Sequence, residues 1–291
     1  MAKGRELKGR IKSVENTRKI TRTMEMVATS KMKRAQDRVV AARPYALALA
    51  DVISSLYSPE LAERFPLLRQ PAEPRRVALI VLTSNRGLAG GFNANLIKAA
   101  RVQIAEIEKA GTKVEVHVIG KKGIGYFKYV GRELASQRID VTDRPTAENA
   151  SEIVDALMAE YIAGELDGVY VTYAKFMSAL STPPTTERIL PVTPPKAKEG
   201  EGGGQRDYLL FPSAEAILTE LLPSYVRNAV YRALVETVAG EQSARRTAMK
   251  NATDNAGDIL NVLRRTYNRA RQAQITQEIA EIVGGAAALQ G

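Results

Sequence analysis

The chain has 291 residues, with no Cys, no Trp, one His, and 42 Lys and Arg against 32 Asp and Glu for a net charge of +10. This excludes disulfides, thiolate metal sites and thiol nucleophiles, and leaves almost no scope for histidine acid–base chemistry. A content of 45% hydrophobic and 25% charged residues is that of an ordinary folded chain of about two domains, made and kept soluble. No apolar run is read as reaching the ~18 residues of a membrane span, and the opening MAKGRELKGRIKS lacks a signal-peptide core, so no direct membrane insertion is expected.

The charge is concentrated at the start. Residues 1–34 carry eleven Lys or Arg against Glu6, Glu15 and Glu25, a net +8. Alternating steps of four and three from Leu7 give Leu7, Ile11, Val14, Arg18, Thr21, Glu25, Ala28, Met32, Ala35, Val39, Ala42, Ala46, Leu49, Ile53 and Leu56, twelve of fifteen apolar. A seam sustained over so many heptads predicts one long helix of a left-handed coiled coil over residues 1–60. Pro44 should kink it without changing its phase. The polar seam positions Arg18, Thr21 and Glu25 are expected to face something other than a partner helix. The basic side chains point around the whole helix and no aromatics are interleaved, which fits nucleic acid poorly. Met24, Met26 and Met32, in MEMVATSKMKRAQ, offer pliable apolar contacts among charges.

Between residues 75 and 210 the pattern alternates. RRVALIVLTS (75–84), KVEVHVIG (113–120), RELASQRIDV (132–141) and DGVYVTYAKFMS (167–178) read as strands; NANLIKAARVQIAEIEKAG and AENASEIVDALMAEYIAGEL read as amphipathic helices between them. Strand–helix alternation predicts a Rossmann-like α/β domain with a mostly parallel sheet. His117, inside an alternating strand, reads as structural. The loop TSNRGLAGGFN (83–93) follows a buried strand and opens a helix, so its glycines could cradle a phosphate. Its spacing is neither GxGxxG nor GxxxxGK[ST], and Gly120, Lys121 and Lys122, not an acidic residue, end the next strand, so a plain tight turn is favoured. Glu106, Glu108, Asp254 and Asp258 read as solvated surface, and no nucleophile–base–orienter set is present. The Pro, Lys and Gly-rich segment 194–208 reads as a mobile loop.

The last segment, 213–291, reads as a second rod. Steps of three and four from Met249 give Met249, Ala252, Ala256, Ile259, Leu263, Thr266, Ala270, Ala273, Gln277 and Ala280, eight of ten apolar and mostly alanine. The helical signal reaches back to Ser224, with a break expected at Pro223, for a rod of roughly 90 Å. Two rods that leave and enter the same middle domain bury each other's seams most economically as an antiparallel pair.

NTRKITRTMEMVATSKMKRAQ (16–36), NRGLAGGFNANL (85–96), SARRTAMKNATDNAGDIL (243–260) and YNRARQAQITQEIAEIVGGAAAL (267–289) together resemble the gamma subunits of bacterial F-type ATP synthases, in order and over essentially the whole chain. The resemblance implies a central rotor stalk that carries torque between a membrane c-ring and the catalytic alpha and beta subunits, three of each. It also implies contact with the epsilon subunit, regulation of ATPase activity, no cofactor, and a peripheral place on the cytoplasmic face of the bacterial inner membrane. On it, Met24, Lys31 and Lys33 match contacts to the acidic lever loop of a beta subunit. Arg245, Arg271 and Gln272 match residues facing the catch loops of alpha and beta, and Thr276, Glu278 and Glu281 match the helix inside the bearing. The foot around Lys121 to Tyr129, and the 194–208 loop, would lie near epsilon or the ring. Chloroplast relatives carry a cysteine-bearing regulatory insert, which a chain without Cys does not reproduce. The alternative from the residues alone is a nucleotide-binding α/β protein with helical arms.

Overall fold

A computed structural model describes residues 2–57, 64–193 and 213–288. Its elements run α1 (Ala2–Leu56), a 3₁₀ turn (Pro66–Leu68), β1 (Arg76–Leu82), α2 (Phe92–Lys109), β2 (Lys113–Ile119), α3 (Lys121–Tyr129), β3 (Ser136–Arg138), α4 (Ala147–Ala163), β4 (Gly168–Ala174), β5 (Pro184–Leu190) and α5 (Ala214–Ala288). The expected 194–208 loop lies outside the described residues. The described chain forms two compact units, Met1–Ala28 with Arg245–Gly291, and Thr29–Ala244.

In the second unit the sheet order is β3-β2-β1-β4-β5. β1 pairs parallel with β2 (Val77↔Val114) and with β4 (Val77↔Gly168), β2 pairs parallel with β3, and β4 pairs antiparallel with β5. Both faces of β1 are covered, so its sequence is a near-continuous apolar run, as parallel strands require. Val77, Leu79 and Val81 pack with α2 and α3 through Ala100, Ile104, Ile124 and Phe127. Ala78, Ile80 and Leu82 share a cluster with Val154, Leu157 and Tyr161 of α4, Leu49 and Ile53 of α1, and Leu222, Val226 and Val230 of α5. The Rossmann-like α/β class with a mostly parallel sheet is therefore borne out.

Local chemistry sets the boundaries. Thr146 caps α4 by accepting the Asn149 N–H at 3.3 Å, and the Asn149 side chain accepts the Thr146 N–H at 3.2 Å; Gly164, at φ 79°, ends the helix. Arg76 fastens β1 to β2, donating to both oxygens of Glu115 at 2.7 and 2.8 Å, and reaches Glu160 of α4 at 3.0 Å. That guanidinium holds the Glu115 carboxyl below its ordinary range.

Several expectations are corrected. RELASQRIDV pairs only over Ser136–Arg138, because it is a short, polar sheet edge. β5 was not anticipated, since PTTERIL is a polar, half-exposed strand that starts on Pro. α3 was not anticipated either: two glycines in nine residues lower helix propensity, and burial of Ile124 and Phe127 overrides it. Pro223 does not break α5, which begins at Ala214; Leu218, Leu222, Val226 and Val230 form one buried stripe across it. α1 likewise passes through Pro44. An 18-residue stretch within Arg5–Leu56 is, contrary to the reading above, long and apolar enough to cross a membrane by composition alone. Its Leu49, Ile53 and Leu56 instead lie in the core cluster just described.

The seam of α1 is observed as read: among the described residues Thr21, Ala28, Met32, Ala35, Val39, Leu49, Ile53 and Leu56 are all buried. Of the polar seam positions, Thr21 departs from the expectation, because its hydroxyl lies against Thr253 of α5, whereas Arg18 is exposed. Thr21 with Thr253 and Glu15 with Arg264 run in opposite numerical senses, so the two helices of the first unit are antiparallel. The α5 seam is corrected in phase. Met249, Thr253, Ala256 and Leu260 are buried, whereas Ile259 is 51% exposed. Following alanines had selected Ala252, Ile259, Thr266 and Ala273, one residue off the stripe that Thr253, Leu260, Tyr267 and Gln274 define.

Candidate subunit-contact surfaces

In the first unit the paired helices turn a stripe of small residues inward, and their outer surface carries charges with scattered apolar side chains. Glu15, Arg18, Lys19, Arg22, Thr23, Leu260 and Arg264 line a groove of about 660 Å³. Four of these side chains are cationic and only Glu15 is anionic; its carboxylate accepts from Arg264 at 2.6 Å. Three of the arm's basic residues, Arg18, Lys19 and Arg22, line this groove. Arg18 and Arg22, an i, i+4 pair, share one wall with Arg264 opposite. Sequence shows the excess of charge but not the long-range pairing that gathers it.

Met24 is half-buried beside this groove's helix, while Met26 is 59% exposed and Val27 is exposed. Arg245 is buried. Arg271 and Gln272 are exposed. Thr276 donates to the Gln272 carbonyl at 3.0 Å, Gln274 to Glu278 at 2.9 Å and Gln277 to Glu281 at 2.9 Å, so these side chains are organised along their own helix. The reading by residue type missed Ile275, Ile279, Ile282 and Val283. They form an exposed apolar stripe at i, i+4, i+7 and i+8, a periodicity that would have revealed it had the alanine seam not been followed instead.

In the second unit Lys31 pairs with Asp143, in the segment between β3 and α4, and Arg38 reaches the Asp143 carbonyl at 3.4 Å. Lys33 pairs with Asp37 one turn along α1 at 2.9 Å. Lys31 is thus occupied within its own chain, whereas Lys33 stays on the exposed face.

The glycine loop closes on itself. Thr83 Oγ1 donates to the Ile119 carbonyl at 2.9 Å and accepts the Gly123 N–H at 3.0 Å. Lys121 N–H donates to Asn85 Oδ1 at 3.0 Å, and Lys122 N–H to the Ser84 carbonyl at 3.1 Å. These bonds tie the loop to the end of β2 and the start of α3; at α2, the helix the loop opens, the Phe92 N–H donates to the Ala89 carbonyl at 3.2 Å. Gly120 is required here: at φ 103°, a Cβ would lie 2.2 Å from the Thr83 carbonyl oxygen. Gly87 and Gly91 are spacious, and Leu88 and Gly90 take the left-handed turn positions at φ 63° and 56°.

His117 donates to or accepts from Ser136 at 2.8 Å. Burial lowers its pKa from the ordinary histidine value, against the opposing pull of Glu115. Glu106, Asp254 and Asp258 are exposed, and Glu108 pairs with Arg132 at 2.6 Å.

Comparison with known proteins shows the family. A family model described as "ATP synthase" matches residues 3–289. The chain is 71% identical to the ATP synthase gamma chain of Gemmatimonas aurantiaca over 291 residues, covering 100% of each. It is 41% identical to that of a Janthinobacterium species over 289 residues, covering 99% of this chain and 100% of the relative. Among solved structures it resembles a chain of the Euglena gracilis mitochondrial ATP synthase OSCP/F1/c-ring in rotational state 3, with a TM-score of 0.69, 19% identity, and 99% and 95% of the two chains covered. It also resembles a chain of the Tetrahymena thermophila central stalk/c-ring, with a TM-score of 0.62, 23% identity, and 80% and 99% covered. The two structures share the fold; the sequence matches go further, and the chain belongs to the ATP synthase gamma-chain family.

Proposed function

We propose that the chain is the rotating central stalk of a bacterial ATP synthase, carrying torque between a proton-driven membrane c-ring and an alpha/beta hexamer that makes or hydrolyses ATP. Catalysis lies on the beta subunits and this chain holds no cofactor. It sits peripherally at the cytoplasmic face of the inner membrane, meets the epsilon subunit, and takes part in regulating ATPase activity. The observation that carries the reading is the full-length 71% identity to a gamma chain, joined to an antiparallel helix pair closed by a buried seam of small residues. A shaft must turn inside its sleeve, so its sticky surface belongs in its own seam.

The stalk must also present unequal faces. Reversing a beta subunit's conformational equilibrium from 1:99 to 99:1 takes about 5.5 kcal/mol of differential contact. The cationic groove around Arg18, Arg22 and Arg264 supplies a lopsided face; Met24 and Lys33 meet the acidic lever loop, and Lys31 does so by exchanging its Asp143 partner. Arg245, Arg271 and Gln272 serve the catch loops, and Thr276, Glu278 and Glu281 with the exposed isoleucine stripe serve the bearing. The test is ATP synthesis by vesicles under an imposed proton gradient, assembled with and without the chain. Synthesis only with the chain supports the reading; equal synthesis without it removes the reading.

A further inference from the structure

Arg232, Glu236, Gly240 and Ser243 stand about one turn apart on a single face of α5, and each meets β4, β5 or the connection between them. Arg232 Nη2 donates to Glu187 Oε2 on β5 at 3.0 Å, while Lys175 donates to the other oxygen at 3.0 Å. Glu236 Oε2 accepts the backbone N–H of Phe176 at 2.9 Å. At Gly240 the approach is closest: a Cβ would stand 3.0 Å from the Ala174 Cβ, 3.4 Å from the Phe92 ring and 3.4 Å from the Thr182 Cβ. The Ser243 hydroxyl donates to the Ala179 carbonyl. Glu236 and Ser243 are buried, and Phe176 packs among Val235, Val238 and Ala239 of α5 and Ala35 and Val39 of α1.

These contacts spread over roughly 16 Å of helix at 1.5 Å per residue, and they differ in kind. Apolar packing is non-directional and lets a helix slip or roll. An ion pair, a carboxylate on a backbone amide and a hydroxyl on a carbonyl are directional and fail together if the helix rolls. Sliding by a turn would force a side chain into the space that only Gly240 fits. Such a set resists twist.

Resting on the rotor reading, we propose that the β4–β5 hairpin grips this face of α5 as a torque-bearing joint, so that residues 232–243 of α5 and the α/β domain turn as one body. These four are positioning residues, since they touch neither nucleotide nor ion path.

The chain has no cysteine, which permits a direct test. With Ala174→Gly to make room, Thr182→Cys and Gly240→Cys would bring their two Cβ atoms near the spacing a disulfide needs. In vesicles carrying the otherwise cysteine-free complex, the cross-link should form on oxidation, and ATPase and proton pumping should stay within about twofold of the reduced sample. Failure to form it, or a reductant-reversible loss of about tenfold, would show that helix and hairpin move against each other and would overturn the joint. Gly240→Val, normalised to assembled chain, should lower protons pumped per ATP by about threefold or more while ATPase persists. An unchanged ratio also overturns it. If vesicles lacking the chain pump as well as complete ones, the rotor reading itself fails, an outcome separate from either of these.

Discussion

Thr21 and Thr253, 232 positions apart in sequence, bring their hydroxyl oxygens within 2.8 Å in the buried seam between α1 and α5. Thr253 donates to Thr21, whose own proton reaches the Arg18 carbonyl at 3.1 Å. A seam of small residues permits this close approach, and the pair fixes one register where alanines alone would tolerate several.

The register makes a sharp prediction. Leu260 is 1% exposed and its neighbour Ile259 51%. Leu260→Asp should cost about 3 kcal/mol or more, through a lost side chain and a buried carboxylate, and Ile259→Asp under about 1 kcal/mol. Thermal unfolding followed by helicity distinguishes them. Equal losses would mean that the stripe through Thr253 and Leu260 is not the seam.

Two glycines of neighbouring sequence should behave in opposite ways. Gly120→Ala places a Cβ against the Thr83 carbonyl in a left-handed conformation and should cost about 3 kcal/mol or more. Gly125→Ala, inside α3 with nothing within 4 Å of its Cβ, should gain about 0.5–1 kcal/mol. Chemical denaturation midpoints of the two variants check both signs.

Stability should depend on pH through His117. Burial lowers its folded pKa below 6.5, and its Nε2 is buried without a partner among the described residues. Between the folded value and 6.5 the unfolded chain holds a proton that the folded chain lacks. Stability therefore rises with pH through that window and is lost as pH falls below 6.5. His117→Gln should flatten the dependence, read as urea midpoints on either side of 6.5; an unaltered slope assigns it elsewhere.

Lys31 and Asp143 should be coupled. With side chains 36% and 41% exposed, solvent screens the pair, so each alanine variant should cost about 1 kcal/mol at most. The double variant should cost less than the two singles together by roughly 0.5 kcal/mol. Strict additivity would show that the pair does not tie α1 to the segment before α4.

What was legible in the sequence had a strong period. The α1 seam and the first two strands are set by burial on one face or both, which leaves a repeating apolar signal. The helix α3 and strand β5 were not legible, because Ile124 and Phe127 override two glycines and PTTERIL is a polar edge. The α5 phase was misread because Ala252 and Ile259 outweigh Thr253 by residue type, and only the partner Thr21 shows why a threonine is inside. Among the contact residues, the resemblance named Lys31 and Lys33, but their different fates depend on Asp143, more than a hundred positions away.

The most direct measurement is single-molecule observation of a bead fixed to this chain, with the alpha/beta hexamer held on a surface and supplied with ATP. The bead should turn stepwise in one direction, and stop when ATP is withdrawn. A bead that stays still while the same complexes consume ATP would contradict a rotating stalk.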